Sequence, residues 1–555
     1  MQRRDLIRAA SVAGAVGLAK PATVSAQENA ALPSENRFSI DTARVRTTAR
    51  TTAGPVRGYR QGGVTMFKGV PYGAPTGGAN RFRPPRPPQP WTEVRSCLNY
   101  GPIAPQDKGT GRFHDEEAFI FRWNDAVEDE DCLRLNVWTQ SLDEERRPVL
   151  VWLHGGGFAA GSGHDIPAFD GANLAATGET VVVTLNHRLN LLGFLDLSEW
   201  GEEYAESANL GMLDIVAALR WVRDNIAGFG GDPSRVTIFG QSGGGAKVNA
   251  LMAMPEAKGL YHRAMVMSGS FAMFNSPEKA RGLSALVLED LGIGRGDLPS
   301  LQALPYARLR TAAERVMARI NPSFDGFVDV RRIRDMLNFA PKLDGKTLLA
   351  DPRHPGHVAS DPQVPLIIGS TLNEFVTGIN NPAAFAMTDE ELRRRVERFV
   401  PGKAETAIAA FRAPGPEDKP FALWSRMATA PIRQAVIDQA RRRLQAGSAP
   451  TWLFWFTWQS PVLEGRPMAF HCLDIPFWFG NAQTCASMTG GGWDALVLSA
   501  SMVRSLLAFA ADGMPEAKDL PTWRAVSGDD LASLQLADRP VMVREVDAAE
   551  RAAIG

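Results

Sequence analysis

The sequence predicts an α/β fold in which helices cover both faces of a mostly parallel central sheet. Residues 148–154, 181–185 and 236–239 are short, continuously apolar runs that are followed by glycine or asparagine. Such runs are typical of strands buried on both faces, because a strand with one solvated face alternates apolar and polar residues. Between the last two runs, residues 211–226 place apolar side chains at helical spacing. A strand, a helix and a strand in this order indicate a parallel sheet with crossover helices.

The remaining segments extend the same pattern. Residues 264–267 and 366–368 are further candidates for buried strands. Residues 276–350 and 380–445 are richly charged and helical in pattern, so we expect them to form helical insertions over the sheet. Because no internal repeat or low-complexity linker divides the chain, the sequence predicts one elaborated domain over residues 27–555.

The composition is that of a packed globular protein. Of the 555 residues, 45% are hydrophobic and 22% are charged, which excludes a disordered, collagen-like or coiled-coil chain. The formal net charge of −1 gives no reason to expect nucleic acid or an anionic membrane as a partner. The chain has no Cys-x-x-Cys or His-x-x-x-His spacing and no nucleotide-binding glycine fingerprint after a strand, so we expect no metal and no cofactor.

The first 26 residues are typical of an export signal. Arg3 and Arg4 precede a mildly apolar stretch from Ala9 to Ala19, and the segment closes with a small-x-Ala pattern at Ala26. The paired arginines resemble the bacterial twin-arginine type, which exports folded proteins to the periplasm or beyond. A disordered basic leader is the alternative. The apolar stretch is too short to span a bilayer, and we expect no membrane span in the mature chain.

One motif contains the predicted nucleophile. The segment Gly240–Gly244 reads Gly-Gln-Ser-Gly-Gly, with Ser242 at its centre. It follows the apolar run 236–239 directly and precedes residues 246–254, which are compatible with a helix. In this context the glycines let a strained serine project its hydroxyl above the edge of the sheet. The alternative is a glycine-rich turn with a buried serine.

A serine hydroxyl is a poor nucleophile and needs a base, which is most often histidine. In hydrolases with this strand–turn–helix motif the chain order is Ser, acid, His, so the base lies after Ser242. His262 is too close in sequence to leave room for an acid-bearing strand, and His354 and His357 lie in a proline-rich, surface-like loop. His471, which follows a strand-like segment, is the candidate by elimination.

Three consecutive glycines supply candidates for an oxyanion hole. Gly155, Gly156 and Gly157 follow His154 at the end of the first apolar run. A glycine run in this place lets backbone N–H groups turn toward a substrate oxygen. A simple tight turn would also use glycines, so this motif alone does not distinguish an oxyanion hole from a turn.

Taken together, these segments resemble the type-B carboxylesterases, the α/β-hydrolases that include cholinesterases and bacterial p-nitrobenzyl esterases. The resemblance extends from about Thr51 to about Gly480. Its motifs occur in the expected order: Phe67–Tyr72, Glu130–Asn136, His154–Phe158, Asn209–Asp214, Phe229–Pro233, Gly240–Gly244 and His471–Gly480. Several long motifs in order are far more specific than Gly-x-Ser-x-Gly alone. The resemblance implies the α/β-hydrolase fold and hydrolysis of carboxylic esters.

The resemblance also implies the remaining site residues. It places the acid at Glu374, just after a buried strand, whereas Asp474 is a local competitor that lies three residues past His471. It places the oxyanion N–H groups on Gly156, Gly157 and Gly243.

The resemblance further implies a disulfide between Cys97 and Cys132, which export would permit. Cys472 and Cys485 are a second pair that could be joined. The chain departs from the family beside Ser242, because relatives carry Glu and Ala where this chain has Gln241 and Gly243.

We therefore expect hydrolysis of neutral carboxylic esters through an acyl-enzyme on Ser242, His471 and Glu374. Neutral esters are favoured because no cationic or anionic cluster marks a charged substrate. An acyltransferase or amidase on the same triad, and a catalytically silent binding relative, are the alternatives. Four aromatic side chains adjoin the motifs and are either the lining of an apolar entrance or ordinary core residues: Phe158, Phe375, Phe477 and Trp478.

Overall fold

The structure is a computed structural model that describes residues 39–106, 114–270, 274–294, 296–321, 338–351 and 363–555. The expected export signal, His354 and His357 lie outside these ranges. The strands are β1 Ile40–Asp41, β2 Thr48–Arg50, β3 Pro55–Arg57, β4 Tyr59–Gln61, β5 Val64–Pro71, β6 Arg95–Ser96, β7 Arg134–Thr139, β8 Arg147–Leu153, β9 Val181–Leu185, β10 Gly231–Gln241, β11 Arg263–Met267, β12 Leu366–Thr371, β13 Thr451–Phe456, β14 Ala532–Leu536 and β15 Val541–Arg544.

The α-helices of the described residues vary from single turns to a 26-residue helix. They are α1 Arg44–Thr47, α2 Asp115–Phe121, α3 Ala172–Ala175, α4 Asn190–Phe194, α5 Leu210–Asn225, α6 Gly243–Met252, α7 Pro277–Leu291, α8 Leu298–Ala303, α9 Tyr306–Ile320, α10 Asp389–Phe399, α11 Ala404–Arg412, α12 Pro420–Gln445, α13 Ile475–Trp478, α14 Ala486–Thr489, α15 Trp493–Asp512 and α16 Ala548–Ile554. Short 3-10 helices lie at Gly78–Asn80, Pro167–Phe169, Glu202–Tyr204, Ser207–Asn209, Ile226–Phe229, Pro255–Ala257, Pro382–Ala386 and Val462–Gly465.

The described strands form a twelve-stranded sheet in the order β1-β4-β5-β7-β9-β8-β10-β11-β12-β13-β14-β15, and β2, β3 and β6 form a small second sheet. All neighbours from β9 to β14 pair in parallel, whereas the pairs at both edges are antiparallel. The prediction of a mostly parallel sheet is therefore confirmed. The carboxyl ends of β8, β10, β11 and β12 meet at one edge, where α/β folds place their sites.

Both faces of the sheet are covered, as the continuous apolar runs predict. Every residue of β8 is buried, and its side chains alternate between two cores. Val149 and Val151 pack in one core together with apolar residues of α5, whereas Leu150 and Trp152 pack in the other with residues of α15. The predicted helical insertions are present as α7 to α9 and α10 to α12, and each group contributes to a further hydrophobic cluster.

A buried ion pair ties α5 to the loop that follows β9. The Arg188 guanidinium donates to both carboxylate oxygens of Asp214, at 2.8 and 2.6 Å, and the Arg188 backbone N–H donates to the same side chain at 3.0 Å. Because both side chains are buried, removal of either partner would leave an uncompensated charge, which costs several kcal/mol (about 3–5). The pair therefore fixes the loop that places His187 against His154.

The expected disulfide between Cys97 and Cys132 is not formed in the structure. Both residues are free thiols, as are Cys472 and Cys485. Burial raises the pKa of Cys97 to about 12 and that of Cys132 well above its usual range. Because the thiolate is the reactive form in disulfide exchange, a buried protonated thiol in the completed fold is a poor substrate for oxidation.

One helix among the described residues is long and apolar enough to cross a membrane by length and composition, which the sequence analysis overlooked. This helix is α15, and about half of it is buried within the protein. Its residues Leu498, Met502, Leu506 and Phe509 pack in the same core as Trp152. These contacts are typical of a core helix that packs against one face of the sheet.

Candidate active site

Ser242 occupies the sharp turn between β10 and α6. Its backbone has φ +59° and ψ −124°, a conformation that a residue with a side chain adopts only at a cost. The surrounding backbone maintains it, because Ser242 N–H donates to Met267 O at 2.8 Å and Ser242 O accepts from Ala246 N–H at 3.0 Å. The serine is thus held at the carboxyl edge of the sheet, as the motif predicts.

The turn is packed against the end of β8 without room for side chains. A Cβ on Gly244 would overlap the carbonyl group of Leu153, and a Cβ on Gly243 would lie 2.5 Å from the Cα of Gly157. An alanine methyl group at position 243 therefore has no space in this backbone arrangement.

Three glycines in and beside the Ser242 turn carry candidate oxyanion N–H groups: Gly156, Gly157 and Gly243, with the backbone of Gly157 packed against Gly243. Gly156 and Gly157 have φ of +80° and +62°, and within the described chain their N–H groups donate to no protein acceptor. Gly243 is the first residue of α6, where helical N–H groups have no partner within the helix. These are the residues that the resemblance implied for the oxyanion hole, and such donors stabilise charge that develops on a substrate oxygen.

His471 and Glu374 are joined directly. Glu374 Oε2 is hydrogen-bonded to His471 Nδ1, and Glu374 O accepts from His471 N–H at 2.9 Å. The other carboxylate oxygen, Oε1, accepts from Ser268 Oγ at 2.7 Å and from Thr371 N–H at 3.0 Å. A carboxylate at Nδ1 requires the ring proton there, which leaves Nε2 free to act as a base.

Asp474 does not compete for this position. Its side chain is fully buried, and within the described residues neither carboxylate oxygen has a hydrogen-bond partner. Burial, and then the nearby Glu374 carboxylate, raise the pKa of Asp474 well above its usual range. The neutral acid is therefore favoured, and a neutral acid cannot stabilise an imidazolium.

Gln241 contacts the imidazole in place of the serine. Its Nε2 lies 3.2 Å from both ring nitrogens of His471, and its Oε1 accepts from Cys472 Sγ at 3.2 Å. No hydrogen bond joins Ser242 Oγ to His471 among the residues that the structure describes. Catalytic hydrogen bonds of this kind are often long or poorly aligned without substrate, so the missing bond does not exclude His471 as the base.

Of the four aromatic residues suggested for an entrance, Phe375 alone is exposed at the site. Its ring centroid lies 4.0 Å from that of His471, and its side chain is 40% exposed. Phe158 is buried against Phe194, while Phe477 and Trp478 pack in the core beneath the sheet. The core alternative therefore applies to Phe158, Phe477 and Trp478, and only Phe375 is placed to line an entrance.

The sequence analysis missed Lys247. This lysine is fully buried in α6, and its Nζ donates to His154 O at 2.8 Å. Burial lowers its pKa to about 7. The available signal was a single lysine in the apolar segment that follows Ser242.

Among the described residues, no group of three His, Cys, Asp or Glu could hold a metal ion.

Comparison with known proteins agrees with these motifs. The sequence profile of the carboxylesterase family matches residues 44–554. The para-nitrobenzyl esterase of Bacillus subtilis (strain 168) is 36% identical over 480 residues, which cover 85% of this chain and 92% of that protein. The phenmedipham hydrolase of Pseudarthrobacter oxydans is 33% identical over 501 residues, which cover 88% of this chain and 95% of that protein.

Solved structures give the same result. An esterase from Clostridium hathewayi, described as able to hydrolyse aliphatic aromatic polyesters, has a TM-score of 0.78 at 32% identity and covers 91% of this chain and 97% of its own. A Geobacillus stearothermophilus carboxylesterase has a TM-score of 0.75 at 34% identity, with 92% of this chain and 100% of that chain covered. The neighbours are thus carboxylesterases of the α/β-hydrolase fold.

The contrast between the two buried carboxyl groups can be tested by matched amide substitutions. We expect Glu374→Gln to lower kcat for p-nitrophenyl butyrate by about three to four orders of magnitude, because the amide favours the wrong imidazole tautomer. Asp474→Asn replaces a neutral acid by a neutral amide and should change kcat by less than about tenfold. Steady-state kinetics on both variants, with thermal unfolding as a folding check, make the comparison. A larger loss of kcat in Asp474→Asn than in Glu374→Gln would show that Glu374 is not the catalytic acid.

The position of Gln241 predicts a change in pH dependence. A carboxylate in Gln241→Glu would lie beside both ring nitrogens of His471 and stabilise the imidazolium, so the base would be lost at higher pH. We expect the acidic limb of kcat/KM to move upward by about one pH unit. The measurement is a pH–rate profile at low ionic strength, with Gln535→Glu on β14 as a control that should leave the limb in place. Superimposable profiles for Gln241→Glu and the wild type would contradict the contact.

Proposed function

The chain belongs to the carboxylesterase family, and on that basis we propose that this carboxylic ester hydrolase acts through an acyl-enzyme on Ser242. The observation that supports this most directly is that the predicted nucleophile, base and oxyanion donors lie at the same edge of the sheet. Three features lie at the ends of β8, β10 and β12: the strained Ser242 turn, the hydrogen-bonded His471–Glu374 pair, and the N–H groups of Gly156 and Gly157, which have no protein acceptor among the described residues. A nucleophile, an oriented base and oxyanion donors are the parts that acyl transfer requires.

Each step of the proposed reaction uses one of these parts. Ser242 Oγ attacks the ester carbonyl carbon while His471 Nε2 takes its proton, and the carbonyl electrons move to the oxygen held by the glycine N–H groups. The intermediate collapses, and the alcohol leaves with the proton from the imidazolium. Water then attacks the acyl-enzyme, His471 accepts its proton, and the acid leaves as Ser242 is regenerated. Glu374 stabilises the imidazolium in both halves.

We propose neutral esters as the substrate class. The side chains that contact the reacting groups are neutral or committed to each other: Gln241 carries no charge, Glu374 is bonded to His471, and Phe375 presents an apolar ring. A charged acyl or alcohol group would therefore find no ionic partner at these residues. The exposed ring of Phe375 favours an apolar group next to the ester bond.

The nucleophile assignment is tested by Ser242→Ala. Loss of one hydroxyl should leave the fold intact and lower kcat for p-nitrophenyl butyrate by at least about four orders of magnitude. Ser234→Ala, at the opposite end of β10, should keep full activity. Thermal unfolding of both variants provides the folding check. An inactive wild type would favour a silent binding relative, and an active Ser242→Ala would exclude this serine.

We also propose that residues 1–26 are a twin-arginine export signal and that residues 27–555 are the mature hydrolase domain, located in the periplasm or outside the cell. Support comes from Arg3 and Arg4, the short apolar stretch and the small-x-Ala close at Ala26. Expression in a bacterium with this export route should give a periplasmic protein that begins at Gln27. Replacement of Arg3 and Arg4 by lysine should retain the precursor in the cytoplasm, and mass spectrometry of both fractions measures this.

A further inference from the structure

The orientation of an oxyanion N–H group is set by the carbonyl on the other side of the same peptide bond. The peptide group is planar and trans, so a carbonyl held in one direction turns the N–H of the next residue in the opposite direction. The N–H of Gly157 is oriented locally in this way, because Gly156 O accepts from Ala159 N–H at 3.2 Å and from Ala160 N–H at 3.0 Å.

The N–H of Gly156 has no such local support. Its partner carbonyl, Gly155 O, is held by two side chains instead, since it accepts from His154 Nδ1 at 2.9 Å and has a longer contact with Lys247 Nζ at 3.5 Å. Lys247 Nζ also donates to His154 O at 2.8 Å, which fixes the preceding peptide group. Lys247 of α6, the helix that begins at the Ser242 turn, thus holds the first of two successive peptide groups by a short hydrogen bond and shares the second with His154 through a longer contact.

Lys247 has no carboxylate partner that would explain its burial. No salt bridge to it exists in the part of the chain that the structure describes, and its nearest acceptors are these two carbonyls. Its other neighbours are the ring of Phe158, at 5.9 Å from Nζ, and the buried imidazoles of His154 and His187, which stack at 4.9 Å. Burial of an amine without an ionic partner costs free energy, in agreement with its pKa of about 7.

From these contacts we infer that Lys247 is a positioning residue of the oxyanion hole, which orients the Gly155–Gly156 peptide so that Gly156 N–H faces the substrate oxygen. This inference rests on the proposed function and extends it to a residue that does not touch substrate. The lysine links the hole to the nucleophile, because it belongs to the helix that begins at Gly243, directly after Ser242. The role follows from where Lys247 Nζ lies and from the two carbonyl oxygens it contacts, and it does not require the lysine to be charged.

The test is Lys247→Met, which keeps the length of the side chain and removes the donor. We expect kcat for p-nitrophenyl butyrate to fall about ten- to a hundredfold, less than or equal to the loss of one oxyanion donor, with little change in KM. Affinity for a trifluoromethyl ketone, whose adduct places an oxyanion in the hole, should fall by a similar factor. The melting temperature should stay the same or rise, because a buried amine without an ionic partner is removed.

Val248→Ala is the matched control, since Val248 is also fully buried in α6 and its side chain cannot donate a hydrogen bond. It should lower the melting temperature through a cavity and leave kcat unchanged. A purely structural role for Lys247 would give the control pattern, with a lower melting temperature and unchanged kcat, and would overturn the inference. An inactive wild type would overturn the proposed function, and the inference with it. An unchanged kcat in Lys247→Met beside an active wild type would overturn the inference alone.

Discussion

The close approach of three backbone segments at the carboxyl edge of the sheet is the constraint on which the site depends. The turn around Ser242 lies against the end of β8 on one side and against the end of β11 on the other, where a Cβ on Gly245 would be 3.0 Å from Gly269 Cα. Only glycines permit these contacts. These contacts hold the backbone of Gly243 against that of Gly157 beside the strained serine, so the Ser242 turn and the glycine run form one rigid unit.

The base belongs to a different part of the fold. Glu374 follows β12 and His471 lies beyond β13, and the two are joined through side chain and backbone. Ser268, at the end of β11, connects this pair to the rigid unit through its bond to Glu374 Oε1. At the junction between the pair and the Ser242 turn, no hydrogen bond joins the imidazole to Ser242 Oγ among the described residues. Gln241 lies at that junction, on the strand that leads into Ser242.

Much of this arrangement could be predicted from the sequence because it depends on local backbone chemistry. Continuous apolar runs predicted the buried parallel strands, since both faces of such strands must be covered. The glycine run at 155–157 and the Gly-x-Ser-x-Gly turn are visible for the same reason, because Gly156, Gly240 and Gly244 have no room for a side chain and Gly157 has a positive φ. His471 followed from chain order and elimination, whereas Glu374 needed the family resemblance, because Asp474 is equally acidic in sequence. Their different environments, one hydrogen-bonded and one without partners, exist only in the folded chain.

The sequence could not show side-chain contacts between residues that are distant in the chain. Lys247 reads as an ordinary surface lysine until the end of β8, 93 residues away, is placed over it. Gln241 and His471 are 230 residues apart, and nothing local indicates that their side chains meet. One contact holds the backbone of the glycine run, and the other places an amide beside both ring nitrogens of His471. A neutral amide beside the imidazole and an amine without an ionic partner behind the glycine turn place few fixed charges near the reacting ester. An oxyanion would then interact mainly with oriented N–H dipoles, which is the condition under which such dipoles stabilise it most.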